Sequence, residues 1–130
     1  MAEIKLFSLH EGVKECSSSE VILEKELQTL IEQNMETFFG VRFLKSEYVI
    51  TNGRMDSIGI DENNSPVIFE YKRSQNENVI NQGLFYLDWL LDHKANFKLL
   101  VIEKLGMETA NNIDWSVPCV ICVAHDFTKY

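Results

Sequence analysis

Apolar positions along the chain change period several times, and each change marks an element. Ile4 to Phe7 reads as a short strand, and Gly12 to Ser19 is polar and loop-like. From Glu20 to Phe38 apolar residues recur three and four apart, at Leu23, Leu27, Leu30, Ile31 and Phe38, with Asn34 on the same stripe. That spacing predicts a helix, capped at Ser19 (or Ser17 or Ser18) and stopped by Gly40. From Val41 the pattern becomes that of strands, predicted over Val41 to Ile50, Arg54 to Ile60 and Pro66 to Lys72. Tight turns at Thr51-Asn52-Gly53 and Asp61-Glu62-Asn63-Asn64-Ser65 join them into an antiparallel meander.

A second helix is predicted from Asn78 to His93, with Val79, Gln82, Gly83, Tyr86, Trp89, Leu90 and His93 along one stripe. The apolar run from Phe97 to Glu103 predicts a strand, Met107 to Ile113 a short helix, and Val117 to Ala124 a last strand. The order α-β-β-β-α-β-α-β places helices on both faces of a mixed central sheet, an α/β (α+β) fold in one domain over 1–130. No repeat, low-complexity segment or linker interrupts it. Because the chain stops just after a strand, we expect it to be the N-terminal part of something longer.

Composition adds three exclusions. No run of about 18 uncharged apolar residues is present, so no membrane span is expected. The N-terminus lacks an apolar segment followed by a small-residue cleavage site, which predicts a cytoplasmic protein. Three cysteines, an odd number, argue against a disulfide scaffold. Cys119 and Cys122 form a CxxC inside a β-branched run, and side chains three apart on a strand point to opposite faces. They are expected to pack in the core and not to share a metal.

The net charge of −8 weighs against tight DNA binding by phosphate neutralisation. Its distribution softens that objection: residues 1–40 hold eight acids and three lysines, whereas residues 41–75 hold five acids and five bases. Acids that bind metal would reverse the local field.

The chemistry concentrates in the second hairpin. On its first strand Asp56, Ile58 and Ile60 share a face; on its second, Ile68, Glu70 and Lys72 do. A turn centred on Asn63 sets Ile60 near Pro66, Ile58 near Ile68, and Asp56 opposite Glu70, with Cβ atoms roughly 4.5–5.5 Å apart. Two carboxylates so placed repel. A divalent cation between them removes the conflict, and hard oxygen ligands with room for water suit Mg²⁺ or Mn²⁺. Lys72 points into the same site, where it can orient water or stabilise developing phosphorane charge. The bland alternative is a solvated hairpin carrying an Asp56–Lys72 or Glu70–Lys72 ion pair.

Gly53-Arg54-Met55-Asp56-Ser57-Ile58-Gly59-Ile60-Asp61, followed by Pro66-Val67-Ile68-Phe69-Glu70-Tyr71-Lys72-Arg73, resembles the PD-(D/E)xK nuclease superfamily. Within it, the pattern is similar to that of RecB-like and NucS-like members. Met55 stands where the motif's name has Pro. The resemblance covers about residues 20–105 and implies a restriction-endonuclease-like (tRNA-endonuclease-like) core with Mg²⁺-dependent DNA-cleaving ancestry. The Gln-x-x-x-Tyr of the RecB-like branch is matched by Gln82 and Tyr86, four apart on one helical face, able to hold the active-site strand or a phosphate. The family's Glu on the first helix is matched by Glu24, ahead of Leu27-Gln28, with Glu26 as the alternative.

The site residues implied are therefore Asp56, Glu70, Lys72, Gln82 and Tyr86 for catalysis. Glu24, Asp56 and Glu70 are the metal ligands, and Arg54 and Arg73 the phosphate contacts. His10, His93, His125 and Cys16 are assigned no chemistry, and Phe85 and Trp89 are expected in the core. Two readings follow: a Mg²⁺- or Mn²⁺-dependent endo- or exonuclease acting on DNA, or a catalytically silent nucleic-acid-binding or protein-interaction module of the same fold. A nuclease active only as a homodimer, or only with a missing C-terminal domain, is a variant of the first.

Overall fold

A computed structural model describes residues 3–8, 20–75 and 77–127, with side chains described over 24–72 and 78–124. The elements are β1 (Glu3–Ser8), α1 (Glu20–Gln33), α2 (Met35–Phe39), β2 (Val41–Ile50), β3 (Gly53–Asp61) and β4 (Pro66–Gln75), followed by α3 (Glu77–Asp92), α4 (Lys94–Leu105), α5 (Met107–Asn111) and β5 (Cys119–Phe127). The strands form one five-stranded sheet in the order β1-β5-β4-β3-β2. β2, β3 and β4 make the expected antiparallel meander, while β5 runs parallel to both β4 and β1. A parallel neighbour cannot be reached by a tight turn, and α3, α4 and α5 supply the crossover from β4 to β5.

The sheet is mixed and covered by helices on both faces, as the periodicity implied. On one face Ile58, Ile60, Ile68, Val120 and Cys122 pack against α3 and α4 through Leu90, Phe97 and Val101. On the other, Val67, Phe69, Tyr71, Ile121 and Val123 pack against α1 and α2 through Leu27, Ile31 and Met35. The strand period of two thus divides β4 and β5 between two apolar layers. The cysteines follow the same rule. Cys119 belongs to the α1 layer and Cys122 to the α3 layer, so the CxxC thiols stand on opposite faces.

Two expectations are corrected. The segment Phe97 to Glu103 is not a strand but the middle of α4. Its buried residues, Phe97, Leu100 and Val101, stand at i, i+3 and i+4, while Leu99 is exposed. A short, nearly continuous apolar run carries no period of its own, and the crossover to a parallel β5 decides for helix. The first helix is also interrupted: α1 ends at Gln33 and α2 begins at Met35. Between them the Asn34 side chain donates to the Leu30 carbonyl at 2.9 Å, a local side-chain bond that competes with the helical ladder. Elsewhere the bounds differ by a few residues, the short helix ending at Asn111 and the last strand beginning at Cys119. The expected cap at Ser17–Ser19, His10 and Cys16 lie outside the described residues, as do the side chains of Arg73 and His125.

β2 and β3 lie unusually close at Gly59, opposite a register shift between Phe43 and Lys45. A Cβ at Gly59 would stand 2.6 Å from Val41 Cγ1 and 2.7 Å from the Arg42 carbonyl oxygen. Only glycine fits there.

Candidate active site

β3 and β4 pair from Ile60 with Pro66, through Ile58 with Ile68, to Ser57 with Phe69, the register read from the turn. Beyond that point the ladder stops, and the next opposed residues are Asp56 and Glu70. Here the backbone donors turn to carboxylates. The Asp56 N–H donates to Glu70 Oε2 at 3.1 Å, and the Tyr71 N–H donates to Asp56 Oδ2 at 2.9 Å. The two acids meet across a fork in the sheet, each bonded to the other strand's backbone.

The interruption extends to the other side of β3. β2 pairs Ser46 with Ser57 and Tyr48 with Met55, and Glu47 between them takes φ 53°, in the left-handed region that non-glycine residues seldom occupy. The Asp56 carbonyl accepts instead from Gln28 Nε2 on α1 at 3.0 Å. Both main-chain groups of Asp56 are thereby satisfied by side chains, not by the main chains of neighbouring strands.

Electrostatics at the fork are strained. Glu70 is 1% exposed, and burial first, then the Asp56 charge, pushes its carboxyl up to about 9. Asp56 is also raised, chiefly by burial, against the Tyr71 amide and the Lys72 and Arg54 charges that favour its ionised form. The two acids cannot both ionise comfortably without added positive charge. Lys72 and Arg54 both lie within electrostatic reach of the pair. Arg54 is partly engaged elsewhere, 3.4 Å from Glu47, which also pairs with Lys25 of α1.

The first helix offers two candidate acids, Glu24 and Glu26. The Glu24 charge acts on Asp56, whereas Glu26 is exposed and is not among the groups perturbing either acid. Glu24 is therefore the better placed of the two. Glu24, Asp56 and Glu70 supply hard oxygen donors of the type that an octahedral, partly hydrated cation takes. Among the described residues no three acids, histidines or cysteines come together closely enough to hold a metal ion. An open, water-completed shell on the Asp56–Glu70 pair is the arrangement that these donors fit, and added cation charge would relieve their mutual repulsion.

Gln82 and Tyr86 are brought together, but on the β3 backbone and not at the carboxylates. Tyr86 Oη accepts from the Arg54 N–H at 3.2 Å and from Gln82 Nε2 at 3.1 Å. The ring lies over Gly53, where a Cβ would come within 2.8 Å of that oxygen. Of the two roles open to this pair, holding the strand is the one the geometry displays. Trp89 packs against the core, but Phe85 is half-exposed, which corrects its expected place inside. His93 stacks on Trp89 at 3.9 Å, away from the fork's ligands.

Sequence reasoning missed a second polar group beneath the fork. Gln28, Glu32, Ser46, Ser57 and Tyr71 bond to one another between α1 and the sheet. A polar Ser57 in an apolar strand, facing a Gln28–Glu32 step of four, was the available clue. A cavity of about 690 Å³ opens farther along the sheet, lined by Phe39, Val41, Asp61, Val67 and Cys119 among others, and none of the candidate residues reaches it.

Residues 23–107, which span the whole set from Glu24 to Tyr86, match the family described as Endonuclease NucS C-terminal domain. Over 98% of its length the chain is 36% identical to an uncharacterized protein of Haemophilus influenzae, of which it spans 43%. Among solved structures it is similar to a repair endonuclease from Pyrococcus abyssi, with TM-score 0.53 and 23% identity, covering 89% of this chain and 42% of that one. It is also similar to the EndoMS chain of a complex with double-stranded DNA, with TM-score 0.54 and 22% identity, covering 92% and 41%. These structural likenesses establish the shared fold. The chain spans less than half the length of each of these proteins.

Proposed function

The chain belongs to the endonuclease NucS C-terminal domain family, and on that premise we propose that it is the core of a divalent-metal-dependent nuclease hydrolysing phosphodiester bonds in DNA. The observation that carries this reading is the fork itself. A fold gains nothing from setting a buried acid, Glu70, against a half-buried one, Asp56, whose charge repels it, whereas a cation-assisted hydrolase does. Asp56 and Glu70, with Glu24 from α1, are the residues to hold Mg²⁺ or Mn²⁺. Bound there, the ion would polarise a phosphate and lower the pKa of a water.

The chain's own groups do the rest. Glu70 sits where it can exchange a proton with an attacking water. Lys72 brings fixed positive charge to the phosphate oxygens as they gain negative charge. Arg54, whose charge reaches both acids, is proposed to contact a neighbouring phosphate, and Arg73 is proposed for the same role from its sequence position after Lys72. Tyr86 and Gln82 keep β3 in place while substrate enters. DNA is favoured as substrate because the similar EndoMS structure holds double-stranded DNA. The assignment to the PD-(D/E)xK group, near its RecB-like and NucS-like members, rests on the same residues.

The net charge of −8 favours a second reading, a binding module of the same fold without turnover. Supercoiled, linear and single-stranded DNA incubated with Mn²⁺ or Mg²⁺ separates the two. Cleavage that is abolished in Asp56→Ala and Lys72→Ala, both still folded by circular dichroism, supports the nuclease. Metal-dependent cleavage that survives either substitution sinks the mechanism.

A further inference from the structure

Resting on that reading, we infer that Gln28, Glu32, Ser57 and Tyr71 form a positioning clamp that fixes how far the fork opens, and so tunes the divalent-cation affinity of Asp56 and Glu70. The bonds run in one chain from strand to helix to strand. Tyr71 Oη donates to Ser57 Oγ at 2.9 Å, and Ser57 Oγ donates to Glu32 Oε2 at 2.5 Å. Gln28 Nε2 then lies within hydrogen-bonding distance of Glu32 Oε2 at 3.1 Å, Ser46 Oγ at 3.0 Å and the Asp56 carbonyl at 3.0 Å, and its two hydrogens are shared among these three acceptors.

Each end of this chain lies beside a candidate ligand. Ser57 follows Asp56, and Tyr71 follows Glu70. Ser57 is also in the last pair of the β3–β4 ladder, so the Tyr71–Ser57 bond ties the strands together where main-chain pairing ceases. The orientation of the Gln28 amide is forced. A carbonyl oxygen and a carboxylate oxygen only accept, so nitrogen must face Asp56 and Glu32. Gln28 and Ser57 are among the few buried polar residues described, at 8% and 0% exposure. Buried polar groups held by several bonds resist displacement, because moving them leaves a donor or acceptor unsatisfied. Glu24, Gln28 and Glu32 also stand four apart on α1, so the clamp sets the helix rotation that aims Glu24 at Asp56.

The test compares Gln28→Met and Tyr71→Phe with wild type and with Arg42→Met. Arg42 bonds Asp61 and Asn64 at the other end of the hairpin and serves as a control for lost polar bonds. Mn²⁺ binding is measured by titration calorimetry on folded protein, and kcat and KM on a DNA duplex. Partners of metal ligands typically contribute 10- to 100-fold in affinity, so each clamp variant should weaken Mn²⁺ binding about tenfold or more. KM for DNA should hold, kcat should fall at limiting Mn²⁺ and recover at saturating Mn²⁺, and Arg42→Met should bind as wild type does. Should Gln28→Met fail to fold, Tyr71→Phe, which removes one oxygen, decides alone. Wild-type Mn²⁺ affinity in a folded Tyr71→Phe overturns the clamp, as does equal weakening in Arg42→Met. A wild-type chain that binds no Mn²⁺ overturns the proposed function itself, a separate result.

Discussion

Glu70→Gln keeps the size of the side chain and an oxygen to receive the Asp56 amide, but removes the ionisable group. In the folded chain the Glu70 carboxyl is raised from 4.5 to about 9. Between those values the folded state holds a proton that the unfolded state has released, so stability falls as pH rises through this window. The full effect is about 1.4 kcal/mol per pH unit, which puts a ceiling of ~4 kcal/mol on the loss from pH 5 to pH 8. Relaxation around two interacting acids reduces the expected loss to about 2–3 kcal/mol. Urea unfolding in EDTA at pH 5, 6, 7 and 8 measures it. Wild type should lose stability steadily across the series, and Glu70→Gln should lose much less, retaining only the contribution of Asp56. The stability difference between the two proteins therefore opens with pH. Mn²⁺ should stabilise wild type more at pH 8 than at pH 5, since protons compete for the same oxygens. Parallel pH profiles for the two proteins would refute the argument that the fork holds a conflict between charges.

Tyr86→Phe removes the acceptor of the Arg54 amide and the partner of Gln82; a loss of about 1–2 kcal/mol in urea-unfolding stability is expected, and an unchanged midpoint would show that the bond carries no weight. Gly59→Ala forces a methyl against the Arg42 main chain, which cannot rotate away, so a loss of about 2–3 kcal/mol is expected; a neutral result would mean that β2 shifts freely there.

The β3–β4 register was legible because two cues agree: a polar turn centred on Asn63, and apolar residues at every second position on either side. That agreement places Asp56 against Glu70 from the sequence alone. The CxxC thiols were legible for the same reason, since strand alternation alone separates Cys119 from Cys122. α4 was not, because Phe97-Lys98-Leu99-Leu100-Val101-Ile102 is apolar enough for either element and only its packing selects Phe97, Leu100 and Val101. The clamp was invisible because each bond joins α1 to a strand, and no local pattern tells Gln28 that it will face the Asp56 carbonyl. The left-handed Glu47 was equally hidden, since nothing in the run Lys45-Ser46-Glu47-Tyr48 marks a positive φ.

The exchange of carbonyls for carboxylates at the fork gives the molecule a built-in reporter. The amides of Asp56 and Tyr71 are hydrogen-bonded to the very side chains proposed to bind the cation. Whatever draws electron density from those oxygens is felt at once by two main-chain nitrogens. Their ¹⁵N chemical shifts should move with cation loading and with pH even where no atom is displaced. Two resonances would then read the occupancy of the site without substrate, and would tell protonation from metal by the pH at which each shift saturates.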